Sequence, residues 1–174
     1  ILDVMYSTHR FSQHAADFFG LGKIIFSHCL NILERRGGIQ MLNIEPINKA
    51  RIAAGFLTVE ETLALMDNGN LIPDPFSTLV SRGVLLGENN LIYPGVTLQA
   101  SGEGKVVIGN GNVLHSGTMI DASHGRIEIG SDNQFGEGGF TAKANQPGAD
   151  IHIGSVCRFL NNPSVFGRTR LEDG

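Results

Sequence analysis

Tryptophan is absent from this sequence, and cysteine, tyrosine and charged side chains are scarce. Cys29 and Cys157 are too few and too far apart for a disulfide framework or a zinc site, which makes a reducing cytoplasm the default setting. Basic charge is short as well. Thirteen Lys and Arg face 17 Asp and Glu, and the net charge of −4 argues against a nucleic-acid partner or a polybasic membrane anchor. No secretory signal is evident. No Walker loop or dinucleotide fingerprint occurs, because Gly136-Glu-Gly-Gly139 opens no evident helix. Disorder is excluded by an apolar content of 41%. What the chain has in quantity is glycine, 23 residues in 174, a composition that suits a β-solenoid with glycine corners.

Four blocks in the second half line up: Leu86-Gly-Glu-Asn-Asn-Leu-Ile92, Ile108-Gly-Asn-Gly-Asn-Val-Leu114, Ile129-Gly-Ser-Asp-Asn-Gln-Phe135 and Ile153-Gly-Ser-Val-Cys-Arg-Phe159. Each opens with an aliphatic residue and Gly, and each closes on a large apolar residue. One beat further stand Leu98, Ile120, Thr141 and Val165, and two residues before each opening stand Val84, Val106, Ile127 and Ile151. A beat of six suits short strands joined by turns, not a helix. Alternation of the Val-x-Ile-Gly kind puts two side chains on one face of a strand. Asn90, Asn112, Asn133 and Cys157 share one column, where stacked coils would form an amide ladder. Gly95 and Gly117 share another, with Gly138 or Gly139 nearby and Asn162 at its end. Such residues tolerate positive φ at turns. The spacing of the openings is not constant. Its excess falls at Gln99 to Lys105, Asp121 to Arg126 and Ala142 to Asp150, so three inserted loops should project from one corner.

The repeat over about Val84 to Leu171 resembles the left-handed parallel β-helix, or hexapeptide-repeat, family. The fold expected is therefore mainly β: a left-handed parallel β-helix of about four coils with an N-terminal helical segment. The resemblance implies an acyltransferase using acetyl-CoA or another acyl thioester as co-substrate, with no bound cofactor and a sugar-type acceptor. It also implies a homotrimer. Non-catalytic members exist, so a trimerising or regulatory scaffold is the alternative. The segment from Thr58 through Ile72-Pro-Asp-Pro75 to Gly83-Val-Leu-Leu-Gly87 is similar to the junction that feeds the β-helix of sugar-phosphate nucleotidyltransferase/N-acetyltransferases.

Three segments are expected: an apolar helical segment at 1–40, a helical lead-in at 41–80 and the β-helix at 81–174. The first should be a helix capped by Ser12; Asp17, Lys23 and His28 interrupt it, so it reads as a packed or interface helix, not a membrane span. Thr58-Val-Glu-Glu61 is a capping-box pattern, and Asn68-Gly69 supplies a stop. The chain starts at Ile1 and ends at Gly174 with the repeat still running, which reads as a fragment.

For chemistry, His124 stands in the inserted segment Asp121-Ala-Ser-His-Gly125. Its imidazole titrates near working pH, so it suits the general-base role that the resemblance assigns to a loop His, with Asp121 to orient it. The bland reading is a solvated loop residue. His115 should point outward beside Tyr93, as a substrate contact in an intersubunit groove or as plain surface. Lys143 is a candidate phosphate contact. His152 should point outward beside Glu128 as a structural or surface residue. Thr141-Ala-Lys-Ala-Asn145 is similar to the segment that carries the catalytic His of glucosamine-phosphate N-acetyltransferases, but Gln146 stands at the His position and cannot serve as a base. γ-Class carbonic anhydrases take two metal ligands from a close His pair. His115, His124 and His152 contain no such pair, and no metal ligands are assigned.

Overall fold

The computed structural model describes residues 43–174. The expected helix from Ser12 and the segment 1–40 lie outside the described residues.

Helix α1 (Glu45–Ala53) has Pro46 in its first turn and turns polar residues inward, burying Asn48 and Arg51. Helix α2 (Val59–Ala64) carries the full capping box. Thr58 accepts from the Glu61 backbone, and Glu61 accepts from the Thr58 backbone. A short 3₁₀ turn, Leu65–Asn68, ends at Gly69 with φ 76°. Asn48 joins the helices: its amide donates to Glu60 at 2.8 Å and its oxygen accepts from the Val59 N–H at 3.0 Å. Arg51 ties them to the solenoid. Its guanidinium donates to the Leu57, Pro75 and Thr78 carbonyls and to the Thr62 hydroxyl.

The rest is strand and turn. The first coil holds β1 (Leu79–Val80), β2 (Val84–Leu86) and β3 (Leu91–Ile92). The second holds β4 (Thr97–Ala100), β5 (Lys105–Ile108) and β6 (Val113–Leu114), and the third β7 (Met119–Ala122), β8 (Arg126–Ile129) and β9 (Gln134–Phe135). The fourth holds β10 (Thr141–Ala144), β11 (Asp150–Ile153) and β12 (Arg158–Phe159); β13 (Ser164–Phe166) and β14 (Thr169–Leu171) follow. Every third strand pairs in parallel, giving three sheets in the orders β1-β4-β7-β10-β13, β2-β5-β8-β11-β14 and β3-β6-β9-β12. This is a mainly β, all-parallel solenoid of about four turns.

Its core is the stacked apolar beat. Leu86, Ile108, Ile129 and Ile153 pair in register, as do Ile92, Leu114, Phe135 and Phe159. Phe135 and Phe159 stack with centroids 5.1 Å apart, and Phe140 tilts against both. One expected position shifts. Ala142, not Thr141, pairs with Ile120 and Val165, and Thr141 faces outward beside Met119. The corner before it holds one more residue than its neighbours: Gly138 and Gly139 both take positive φ, 105° and 93°, and Phe140 turns inward.

The amide column is structural and starts one coil earlier than the repeat suggested. Asn70, Asn90, Asn112 and Asn133 are all buried, and each side-chain oxygen accepts the backbone N–H of the next ladder residue, ending at Cys157. Asn112 and Asn133 also donate to the Gly130 and Gly154 carbonyls. The ladder therefore satisfies corner backbone groups that sheet pairing leaves open.

Candidate active site at the loop corner

The first sheet's strands end in a column of alanines: Ala100, Ala122 and Ala144 are in register. Small residues there let the loops 101–104, 123–125 and 145–149 stack closely. The Gly125 N–H donates to the Ala144 carbonyl at 3.0 Å, Lys105 N–H to the Gly125 carbonyl at 3.0 Å, and Arg126 N–H to the Ala149 carbonyl at 3.0 Å. A methyl group at Gly125 would collide with the Ala149 carbonyl oxygen. All three inserts leave the same corner, as the sequence suggested.

These loops and the strand starts below them wall a cleft of about 320 Å³. Its lining includes Glu103, Lys105, His124, Arg126, Asp150 and Arg168, with Gly125, Gly148 and Ala149 as small residues between them. His124 is exposed, and among the described residues its imidazole has no hydrogen-bond partner. Lys105, Arg126 and Asp150 stand in one register row, and the pairing of Ile151 with Thr169 places Arg168 on the next rung. Arg126 forms a close ion pair with Glu128. That pair, with His152 at 3.7 Å from Glu128, holds the Glu128 carboxyl below its usual range, the Arg126 hydrogen bond being the largest cause.

Asp121 is not in the loop. It lies in β7, in register with Gln99 and Lys143, so the loop proper is 123–125. The outward rung positions of β7 and β10 thus bring Asp121 and Lys143 side by side. No hydrogen bond joins Asp121 to His124, and neither Asp121 nor Lys143 lines the cleft. His115 stands at the preceding corner, after β6. Its ring stacks on Tyr93 with centroids 4.7 Å apart and planes 8° apart, and its Nε2 lies 3.4 Å from the Gln134 amide nitrogen. Gly136 below it is needed for space, since a methyl group there would come within 2.6 Å of the ring. Within one chain, then, His115 and His124 occupy different corners. His152 faces outward beside Glu128.

The row Lys105, Arg126, Asp150 and Arg168 was not singled out from sequence. Three of its members were visible there: Lys105, Arg126 and Asp150 each stand three residues before an aligned opening. Arg168 was hidden because the last coil has no aligned block. Among the described residues no group of three His, Cys, Asp or Glu side chains is arranged to hold a metal, and no helix is long and apolar enough to cross a membrane.

A scan of protein-family models finds none that matches this chain, and a search of curated proteins finds no similar one.

Proposed function

We propose that the solenoid carries an acyltransferase site at this corner, with His124 as general base. The acyl group would pass from a CoA thioester to an amino or hydroxyl group of a sugar-type acceptor. The observation that carries the reading is the exposed imidazole of His124, unpartnered among the described residues, in the wall of a cleft built by all three inserted loops. In the reaction the imidazole accepts the acceptor's proton as its nitrogen or oxygen bonds to the acyl carbon. The carbon–sulfur bond breaks, and the proton passes on to the departing thiolate. Asp121 and Lys143 stand on the adjacent sheet face, where a ligand overlapping the corner would meet them. His115 joins the substrate contacts only if a neighbouring copy brings its own corner near, which is the part the proposed homotrimer plays. A cytoplasmic setting belongs to the same proposal.

The test is thiol release by the full chain with acetyl-CoA and a panel of amino sugars. His124→Ala should lower turnover by about 10²–10⁴-fold. Its urea midpoint should not move, because the residue lies outside the core. Full turnover in that variant would reject His124 as base. No thiol release with any acceptor would favour a non-catalytic scaffold. A second groove supports that alternative. It is lined by Leu65, Val84, Leu85, Val107 and Ile108 without a titratable side chain, and Leu85 is 66% exposed there.

A further inference from the structure

We propose that Lys105, Arg126 and Arg168 form a subsite for the phosphate group of a phosphorylated acceptor. This rests on reading the cleft as a ligand site. It does not need acyl transfer to be the reaction.

The register supplies the first argument. Lys105 and Arg126 are directly opposite each other in the pairing of β5 with β8. Neighbouring strands lie about 4.8 Å apart, and like charges placed directly opposite destabilise a sheet. The chain's net charge is −4, so a pair of adjacent cations is not a by-product of a generally basic surface. An anion seated between the two rungs turns this repulsion into attraction.

The partners supply the second. Arg126 is half committed to Glu128. Among the described residues, Lys105 and Arg168 have neither a hydrogen bond nor an ion pair through their side chains, although Glu103 and Asp150 line the same cleft. The lining thus holds two free cations, one shared cation and two free carboxylates. The carboxylates oppose any anion, so a single negative charge gains little. A second negative charge scales attraction and repulsion alike, so geometry and not charge alone selects the ligand. A phosphate presents three oxygens in a tetrahedral array that can meet Lys105 and Arg126 on adjacent rungs at once, whereas a carboxylate presents two in a plane. The acceptor supplies this phosphate, because His124 stands in the same cleft: a phosphate held on this row would bring the nucleophile of the same molecule to the imidazole.

The experiment uses the full chain and inorganic phosphate as probe, with binding followed by calorimetry and by the His124 ring resonance. Saturable binding is expected, with a shift of that resonance. The double variant Lys105→Gln/Arg168→Gln should weaken it by roughly tenfold or more, the loss of charged contacts. Both positions are exposed, and an unchanged circular dichroism spectrum serves as the folding control; Arg126 is left intact to keep its pair with Glu128. A hexosamine phosphate should displace inorganic phosphate. No saturable binding, equal binding of acetate, or unchanged affinity in the double variant would each overturn the subsite. Displacement by adenosine 3′,5′-bisphosphate but not by the hexosamine phosphate would overturn its assignment to the acceptor. Failure of thiol release leaves these binding results untouched, so the two readings fail separately.

Discussion

Val156 stands in a corner column whose other members are Gly69, Asn89, Gly111 and Asp132, all at positive φ. It shares that geometry at φ 62°, although left-handed backbone is costly for a β-branched residue. Its side chain is 62% exposed and contributes little packing in return. Val156→Asn should therefore stabilise the fold by about 1 kcal/mol, read as a raised urea midpoint; an unchanged or lower midpoint would contradict the strain. Thr118 offers a second local test. It is buried in the inward column between Val96 and Phe140, and its hydroxyl has no hydrogen-bond partner. Thr118→Val keeps the shape and removes an unsatisfied polar atom, so it too should stabilise, by about 1 kcal/mol. Gly130 behaves in the opposite way. It does not need positive φ; it needs space, since a methyl group there would lie 2.7 Å from the Gly154 carbonyl oxygen. Gly130→Ala should cost about 1–3 kcal/mol, as overpacking against backbone does.

At the scale of elements, Arg51 ties the helical cap to the coils beside the apolar packing of Leu57, Leu65 and Met66. Burial lowers the Arg51 pKa, its largest cause being desolvation, and the guanidinium answers with bonds to several carbonyls. Arg51→Ala would leave those carbonyls unsatisfied and should cost about 3 kcal/mol. Amide exchange should rise in α1, α2 and β1 while β7 to β9 stay protected; uniform loss of protection would reject a separable cap. None of this was legible in the sequence, because a buried Arg on an otherwise polar helix gives no periodic signal. The coils were legible for the opposite reason. Ile108, Ile129 and Ile153 recur with the same neighbours, and stacking makes the recurrence a contact. The reading failed by one position at Thr141, where an added glycine changes the corner without breaking the beat. For the site, the corner was visible as excess length, and His124 with it. The charged row was obscured because its residues differ in sign from coil to coil, and Asp121 was taken for loop because the strand runs two residues past the apolar beat at Ile120.

Across the whole molecule, the charges that fold-formation perturbs are mainly carboxylates. Glu61 lies below its usual 4.5 chiefly because it accepts the Thr58 backbone N–H, with Arg82 adding to the effect. Glu60 is lowered by its own backbone N–H and by Asn48, and Asp74 falls below 3.8 chiefly through the Ser77 hydroxyl. Glu128 is lowered by Arg126. Glu172, just after β14, is lowered too, chiefly by its hydrogen bond from Arg170. A carboxyl with a depressed folded pKa binds its proton more readily when unfolded. Its contribution is therefore complete above the unfolded value and is lost as pH falls through the folded one. The fold should hold steady from neutral pH down to about the unfolded carboxyl range and weaken below it. Three of these five groups sit in residues 58–77 and two on the side of the second sheet, so acid should loosen the cap before the coils. Two measurements check this. The urea midpoint should drop between pH 5 and pH 3, and Glu61→Gln should make that drop smaller while already lowering the midpoint at pH 7. Hydrogen exchange at pH 3, corrected for the intrinsic rate, should show α2 losing protection ahead of β8 and β11. A midpoint that stays level to pH 3, or coils that open before the helices, would place the acid-sensitive charges somewhere other than the cap.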